Sequence, residues 1–540
     1  MFKRRNGGIT LIVLVLTIII LLILAGISIM SLTNTGIFGK AQESKEKTEQ
    51  AQRKEEETLS KYQSELNRTT MQADGSWNSK QKVNSPKLMQ GMTGIYWDEN
   101  GNEIEVTPDN IDNWYDYQDK KWANAITKDN EGNITGYWVW IPRYAYEIES
   151  GCYTSTAGKI SIKFLQGTTN KDSEGNEIST TYPEVTNGKM QDYVVHPSFT
   201  DGTENNFMNG EWDKELLGYW VAKYAAGFQE CTQTISSDGT VTEPTTNLEN
   251  VKYSDKYYSI YHSSFPTNAL SQKLTETDYK NEKLSYPVFK PLTYAYNVIS
   301  TGDAYTISQE IAKASDFYGL NQSETDSHQM KNSEWGAVVY LAQSVYGVNS
   351  QVKIEANKKN LNNLNGKIIY EVTGYAGTTA NGVAASTTNN MTGVFDMSGC
   401  VWERTAAYIS NGNGNLSNGK SYTNTTANPE GYKKLSTKYA TVYPYDTDED
   451  NKYTGNAYNN VKSTTHGFGD AILETSLRVA GGTGGNGWNQ DCSYFAYTGN
   501  PFFVRGGYYG DGSDAGTFAF HYTSGAPHHG NGFRSVLVAL

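Results

Sequence analysis

The chain has 540 residues, 37 % hydrophobic and only 19 % charged, with 52 glycines, 39 tyrosines and a formal net charge of -13. That length is ample for a buried core, and no basic block occurs beyond the first five residues, which argues against a surface that tracks nucleic-acid phosphates. Few charges beside many Gly and Tyr fit a loop-rich extracytoplasmic protein, and the four cysteines, Cys152, Cys231, Cys400 and Cys492, stand far apart without the CxxC spacing of zinc ribbons or thioredoxin-like enzymes.

Between Arg5 and Lys40 there is no charge, and Ile9 to Met30 is nearly continuous Ile, Leu and Val. That is the length a bilayer core demands of a helix, and it exceeds the apolar region of a secretory signal peptide. The positive charges precede the span. Residues 1–8 are therefore expected in the cytoplasm, 9–31 in the membrane and the remainder outside the cell, as a single-pass protein of the cell membrane. "RRNGGITLIVLVLTIII" also resembles the type IV prepilin leader, which implies cleavage after Gly8 and a mature chain beginning at Ile9. Pilins usually carry Glu at the fifth mature position, where this chain has Val13. That departure counts against incorporation into a pilus, and an ordinary signal anchor reads equally well. A minor pilin or pseudopilin in an envelope assembly is the alternative function.

Residues 32–69 are expected to be a helical stalk: from Lys40 to Thr69 the chain is rich in helix formers, free of Gly and Pro, and too poor in apolar residues for a coiled-coil seam. Residues 70–135 are polar, with hairpin punctuation at Asn100-Gly101 and Glu131-Gly132-Asn133, and are expected to be short strands and loops without a core of their own. "GYWVWIPRYAYEI" (Gly136 to Ile148) alternates aromatic and polar residues as a strand does. "GYWVAKYAAGF" (Gly218 to Phe228) repeats its opening, which points to similar strand starts in one sheet. Helical pattern is scarce. Ile307 to Phe317 is one candidate. The clearest is "SEWGAVVYLAQSVYG", in which Trp335, Val338, Val339, Ala342, Val345 and Tyr346 fall on one face, Ser333 precedes as a cap and Gly347 ends the run.

Several local patterns carry little chemistry. "GGTGGNGWNQD" lacks the Lys-Ser/Thr step and the strand-to-helix setting of a phosphate loop. His528 and His529 are adjacent, so on a strand they point to opposite faces, and Asp511, Ser513 and Asp514 lack the ligand spacing of a calcium loop. No metal site and no cofactor is expected.

Three further stretches are more specific. "NSEWGAVVYLAQ" (Asn332 to Gln343), "GVFDMSGCVWERT" (Gly393 to Thr405) and "VRGGYYGDGSDAG…GFRSVLV" (Val504 to Val538) occur in the order and spacing of the formylglycine-generating enzyme (sulfatase-modifying factor) family. They resemble its Glu-Trp helix, its "DMSGNVWEW" turn and its "RGGSW…GFR" ending. "GYWVAKYAAG" is similar to the strand that opens that domain. The resemblance covers residues 136–540, weakly at first and strongly from 327. It implies an α+β fold of C-type-lectin-like type, with few helices, much loop, and N- and C-terminal strands close together. Met397, Val401, Trp402 and Phe533 have the character to bury around it, and Trp335, Trp402, Arg505, Phe533 and Arg534 are assigned as scaffold, the arginines tying carboxylates or carbonyls through their planar forks.

The copper-dependent members of that family use two cysteines placed shortly before the GFR ending. Tyr508 to His521 contains none, Cys492 lies upstream, and Cys400 occupies the usual Asn position of the turn. Two soft thiolates for copper are missing, and no His-rich facial iron site is visible. The expectation is a protein that is not an enzyme, with formylglycine-generating oxidation the least favoured alternative. Outside the cell, Cys400 and Cys492 are candidates for a disulfide, with Cys152 and Cys231 the leftover pair.

The end of the chain also resembles the variable region of target proteins of diversity-generating retroelements, which use this scaffold for display. "RGG", "AG.FAF" and "GFRSVL" then read as framework. Tyr508, Tyr509, Asp511, Asp514, His521, Tyr522, Thr523, Ser524, His528, His529 and Asn531 read as the displayed set, of residue types suited to binding a protein or glycan.

Overall fold

The computed structural model describes residues 17–18, 44–55, 58–59, 73–202, 209–232, 253–260, 280–291, 293–297, 299–352, 362–364, 367–368, 382–409, 437–443, 467–477, 486–496, 500–508, 511–526, 528 and 530–540. The chain divides into two compact units, Met1–Leu66 and Asn67–Leu540. In the first, residues 44–55 form an exposed helix, α1, with a Lys45–Glu49 pair one turn apart at 3.8 Å. No described helix is long and apolar enough to cross a membrane. The span expected over 9–31 lies outside the described residues apart from 17 and 18, which are helical, and the leader at Gly8 and Ile9 lies outside them altogether.

The second unit is α+β, with few helices and many strands. Its largest sheet has seven antiparallel strands: β1 (Met92–Trp97), β2 (Glu103–Glu105), β3 (Asn124–Lys128), β4 (Ile134–Pro142), β8 (Gly218–Ala222), β9 (Thr325–Gln329) and β15 (Ser535–Ala539). Their order is β9-β15-β8-β4-β3-β1-β2. The last strand of the chain thus lies between two strands from much earlier in it. Residues 92–128 supply three of the seven strands, so the stretch 70–135, expected as short strands and loops without a core of its own, contributes to this unit's main sheet.

The two Gly-Tyr-Trp-Val segments are direct neighbours, with Trp220 opposite Trp140 and Val221 opposite Val139. Neither strand shows the in-out alternation of a half-wet sheet: Trp138, Val139, Trp140 and Ile141 are all buried, as is every residue of β8. A sheet covered on both faces replaces alternation with continuous apolar character. Each indole N–H buried there finds an acceptor: Trp138 the Thr127 hydroxyl at 3.1 Å, Trp140 the Asn84 carbonyl at 3.3 Å, Trp220 the Lys87 carbonyl at 2.8 Å. The run from Gly136 to Ile148 is not one strand. It breaks at Arg143, whose guanidinium is buried against Glu215 (2.5 Å) and the carbonyls of Phe199 (2.5 Å) and Thr169 (3.0 Å). Beyond it β5 (Tyr144–Ile148) joins β6 (Ile160–Phe164) and β7 (Val194–Val195) in a separate three-stranded sheet.

The helices differ from the periodicity reading in instructive ways. α2 spans Thr301–Glu310, six residues ahead of the expected start, because the Ser300 hydroxyl caps it by accepting the Asp303 N–H at 3.0 Å. The expected run from Ile307 crosses a tight turn into a separate short helix, α3 (Ser315–Tyr318), closed by Gly319 at φ 69°. α4 covers Asn332–Ala342. All eleven of its residues are buried, so it is a core helix rather than one with a single apolar face. Its cap is Lys331, whose N–H donates to the Glu334 carboxylate at 2.8 Å, and not Ser333. Val345 lies past its end and is 54 % exposed.

The second sheet carries the C-terminal stretch. β10 (Trp402–Ile409) is flanked on one side by β12 (Phe502–Arg505), which pairs with β13 (Phe520–Thr523), and on the other by β11 (Thr441–Tyr443) and β14 (Asn531–Phe533), both parallel to it. Phe503 and Phe520 point into a small core with Phe495, Tyr443, Ile472 and Leu473.

Candidate functional site: a C-terminal face on a buried frame

The three stretches quoted from the sequence meet in space. The turn from Phe395 to Val401 takes left-handed conformations at Asp396 (φ 64°), Gly399 (87°) and Cys400 (61°), and Gly399 N–H donates to the Gly506 carbonyl at 3.0 Å. Gly506 is itself left-handed (φ 88°), and a Cβ on it would lie 3.1 Å from the Met397 carbonyl and 3.2 Å from the Trp335 ring. That close approach is why the position takes no side chain. Trp335, from α4, donates its indole N–H to the Thr517 carbonyl at 2.8 Å and stacks its ring 5.4 Å from the Arg505 guanidinium.

Two arginines close the frame. Arg505 is fully buried and spends its fork on backbone: Nε on Ala519 O (3.1 Å), Nη1 on Asp470 O (2.9 Å), Nη2 on Ala471 O (3.0 Å). Burial pulls its pKa down to about 10, with Asp470 opposing. Arg534 makes a two-pronged pair with Glu403, at 2.6 and 2.9 Å, and donates to the carbonyls of Ala222 (2.5 Å) and Phe395 (2.7 Å). One side chain so ties β8, the turn and β10 to the final strand. Burial pushes Glu403 up to about 7 against the pull of Arg534. Phe533, Met397 and Val401 are all buried in this frame.

On that frame stands a cluster of half-exposed rings. His521, on β13, lies 5.9 Å from Trp402, 5.0 Å from Tyr494 and 4.3 Å from Tyr522, centroid to centroid. Its Nδ1 faces the Tyr522 carbonyl at 2.7 Å. Burial holds its pKa below the usual value, so the ring is neutral near pH 7, Nδ1–H donates to that carbonyl and Nε2 is left as an acceptor. Asp511 accepts from the Tyr508 N–H (2.9 Å) and lies beside the Trp402 indole. Partial burial, with a smaller push from Asp514, raises its pKa. Tyr508 and His528 approach each other across Gly530, whose carbonyl accepts the Trp402 N–H at 2.9 Å.

The expected display set maps onto this face unevenly. Tyr508, Asp511, His521, Tyr522, Thr523 and Ser524 are half-buried, and Asp514 and His528 are exposed. Tyr509 and His529 lie outside the described residues. Asn531 is buried: it belongs to β14, opposite Trp402, with its amide fitting the Gly530 carbonyl and the Arg404 guanidinium, each at 3.2 Å. It is therefore part of the frame. The converse holds for Trp402, assigned to the scaffold, which is half-exposed and touches both His521 and Asp511. Strand alternation is the signal that finds it, since Val401 before it and Glu403 after it are both buried. Tyr494 was not singled out at all, and its sequence surroundings carry no cue.

Cys400 and Cys492 are buried and carry no bridge to one another. Cys400 is committed to the left-handed turn, while Cys492 sits beside Asp514, whose carbonyl accepts its N–H at 2.8 Å. The Cys231 side chain, half of the leftover pair, lies outside the described residues. Burial, with smaller pushes from the carboxylates of Asp511, Asp514 and Asp491, drives the Cys492 thiol well above its ordinary pKa. A protonated thiol without a second cysteine beside it does not fit a copper-thiolate centre. Among the described residues no group of three or more His, Cys, Asp or Glu is placed to hold a metal ion. In comparison with known proteins, no family model and no curated protein matches the chain.

Proposed function

We propose that this chain is a membrane-anchored cell-surface protein that binds a ligand through its C-terminal face, on a non-catalytic scaffold of the formylglycine-generating-enzyme, C-type-lectin-like type. The observation that carries the reading is the contrast within one short stretch: Arg505, Phe520, Phe533 and Arg534 are locked in the core, while Tyr508, Asp511, His521, Tyr522 and His528 stand at the surface on the same strands and turns. Rings with few rotors, backed by a rigid frame, offer contact area at low entropic cost. The apolar segment over 9–31 supplies the anchor and residues 32–69 the stalk. Diversification of the displayed positions belongs to the same reading, and a near-copy template repeat beside a reverse-transcriptase gene is its genetic signature.

The test replaces Tyr508, Tyr522, His528 and His529 together with Ala in the full chain displayed on cells. Loss of ligand capture is expected, with a cooperative thermal melt that shows the variant still folds. Unchanged capture by the folded variant sinks the proposal.

A further inference from the structure

The charge of the face is one-sided. Asp511 and Asp514 are carboxylates three residues apart, and among the described residues neither forms an ion pair. His521, neutral with Nδ1–H committed to a carbonyl, presents Nε2 as an acceptor. The Trp402 indole lies beside Asp511. The two arginines nearest in sequence, Arg505 and Arg534, point into the core with their donors used. Carboxylates and ring faces are left outward. His528 is engaged with its own turn, its Nδ1 accepting the Gly530 N–H at 3.1 Å.

We infer that the ligand is a basic polypeptide segment, whose Lys or Arg side chains lie over the Trp402, His521 and Tyr522 rings and reach the Asp511 and Asp514 carboxylates. This rests on the reading above that the C-terminal face is a recognition surface. Cations over aromatic faces gain about 0.5–2 kcal/mol each, and guanidinium forks match carboxylates in geometry. A neutral glycan fits less well, because it brings no positive charge to the two carboxylates, and the one side-chain amide proposed for display, Asn531, is buried and engaged. The net charge of -13 adds long-range attraction for a basic partner.

The experiment pans a random peptide library on the full chain and measures the selected peptides by titration. Enrichment in Lys and Arg is expected, with binding weakened roughly tenfold by the Asp511→Asn, Asp514→Asn double variant, weakened by acetylating the peptide lysines, and reduced as salt rises. Thermal melts confirm that the double variant is folded. Peptides without basic enrichment, or basic peptides bound equally by the double variant, overturn the inference. If binding then still depends on Tyr508, Tyr522 and His528, the recognition face stands and only its partner class was misjudged. If it depends on neither set, both readings fall.

Discussion

Arg534 and Asp511 lie within one stretch of the chain and meet opposite fates. The first gives four donated hydrogen bonds to Glu403, Ala222 and Phe395 in a site closed to water. The second keeps part of its carboxylate at the surface, steadied by one backbone amide, with one indole beside it. Charged groups that hold a fold together exhaust their partners inside it, because a buried charge left unpaired costs several kcal/mol. Groups meant for another molecule must keep something back. The difference teaches where to divide frame from face.

The largest effect should come from breaking the frame. Arg534→Met leaves Glu403 buried beside an apolar side chain and should destabilise the second unit by about 3–5 kcal/mol, read as a lower urea midpoint. Adding Glu403→Gln to it should recover much of that loss, since no buried charge then lacks a counter-ion. A small effect of the single variant would put Arg534 with the face and dissolve the comparison.

Part of this was legible in the sequence. The Gly-Tyr-Trp-Val segments prove to be neighbouring strands, since two strands buried on both faces of one sheet draw on the same aromatic residues. The helix at Trp335 was visible from its apolar residues, but its start was not. Lys331 caps it, an atypical choice made by the Glu334 carboxylate reaching back, where Ser333 had the better propensity. The site was legible only where alternation is regular. His521 follows from the strand, facing away from buried Phe520, whereas Asn531 goes inward because β14 pairs with β10 in parallel, a contact across more than a hundred residues that no local pattern announces. Cys400 and Cys492 were paired on their shared place in the family-like region and an expected location outside the cell, and neither places two thiols side by side.

A second prediction touches the frame through pH. Glu474 is buried, accepting hydrogen bonds from the hydroxyls of Tyr146 (2.5 Å) and Tyr340 and from the Gly469 N–H (2.7 Å), and burial raises its pKa to about 7. A folded pKa above the unfolded one means the protonated carboxyl favours the fold. The contribution is full below the ordinary carboxylate value and is lost as pH rises through about 7. Relative to Glu474→Gln, the wild-type protein should therefore lose up to about 3 kcal/mol between acid and mildly alkaline pH. Parallel stability curves for the two proteins would show that Glu474 does not titrate in this range. Next in size is Gly507→Ala. The backbone there is left-handed (φ 77°), and the new Cβ would stand 2.5 Å from Ala515 Cα, so a loss of about 1–3 kcal/mol is expected in the same melt.

The smallest effect on stability should come from the face, and that smallness is itself the test. Asp514 is exposed with no ion pair among the described residues, and His528 is exposed at the turn before β14. Asp514→Ala and His528→Ala should each change stability by less than about 0.5 kcal/mol. Removing Asp514 also relieves its repulsion of Asp511, so a slight gain is the expected sign for that variant. Tyr522→Ala should cost more, because that ring also packs against Phe503 and Phe520 in the second small core. The ordering Tyr522 above His528 and Asp514, measured by denaturant midpoints, follows from the alternation of β13, which turns Tyr522 partly inward. If Asp514→Ala proved as damaging as Tyr522→Ala, Asp514 would be holding the fold together, and the line between frame and face would have to be redrawn to include it.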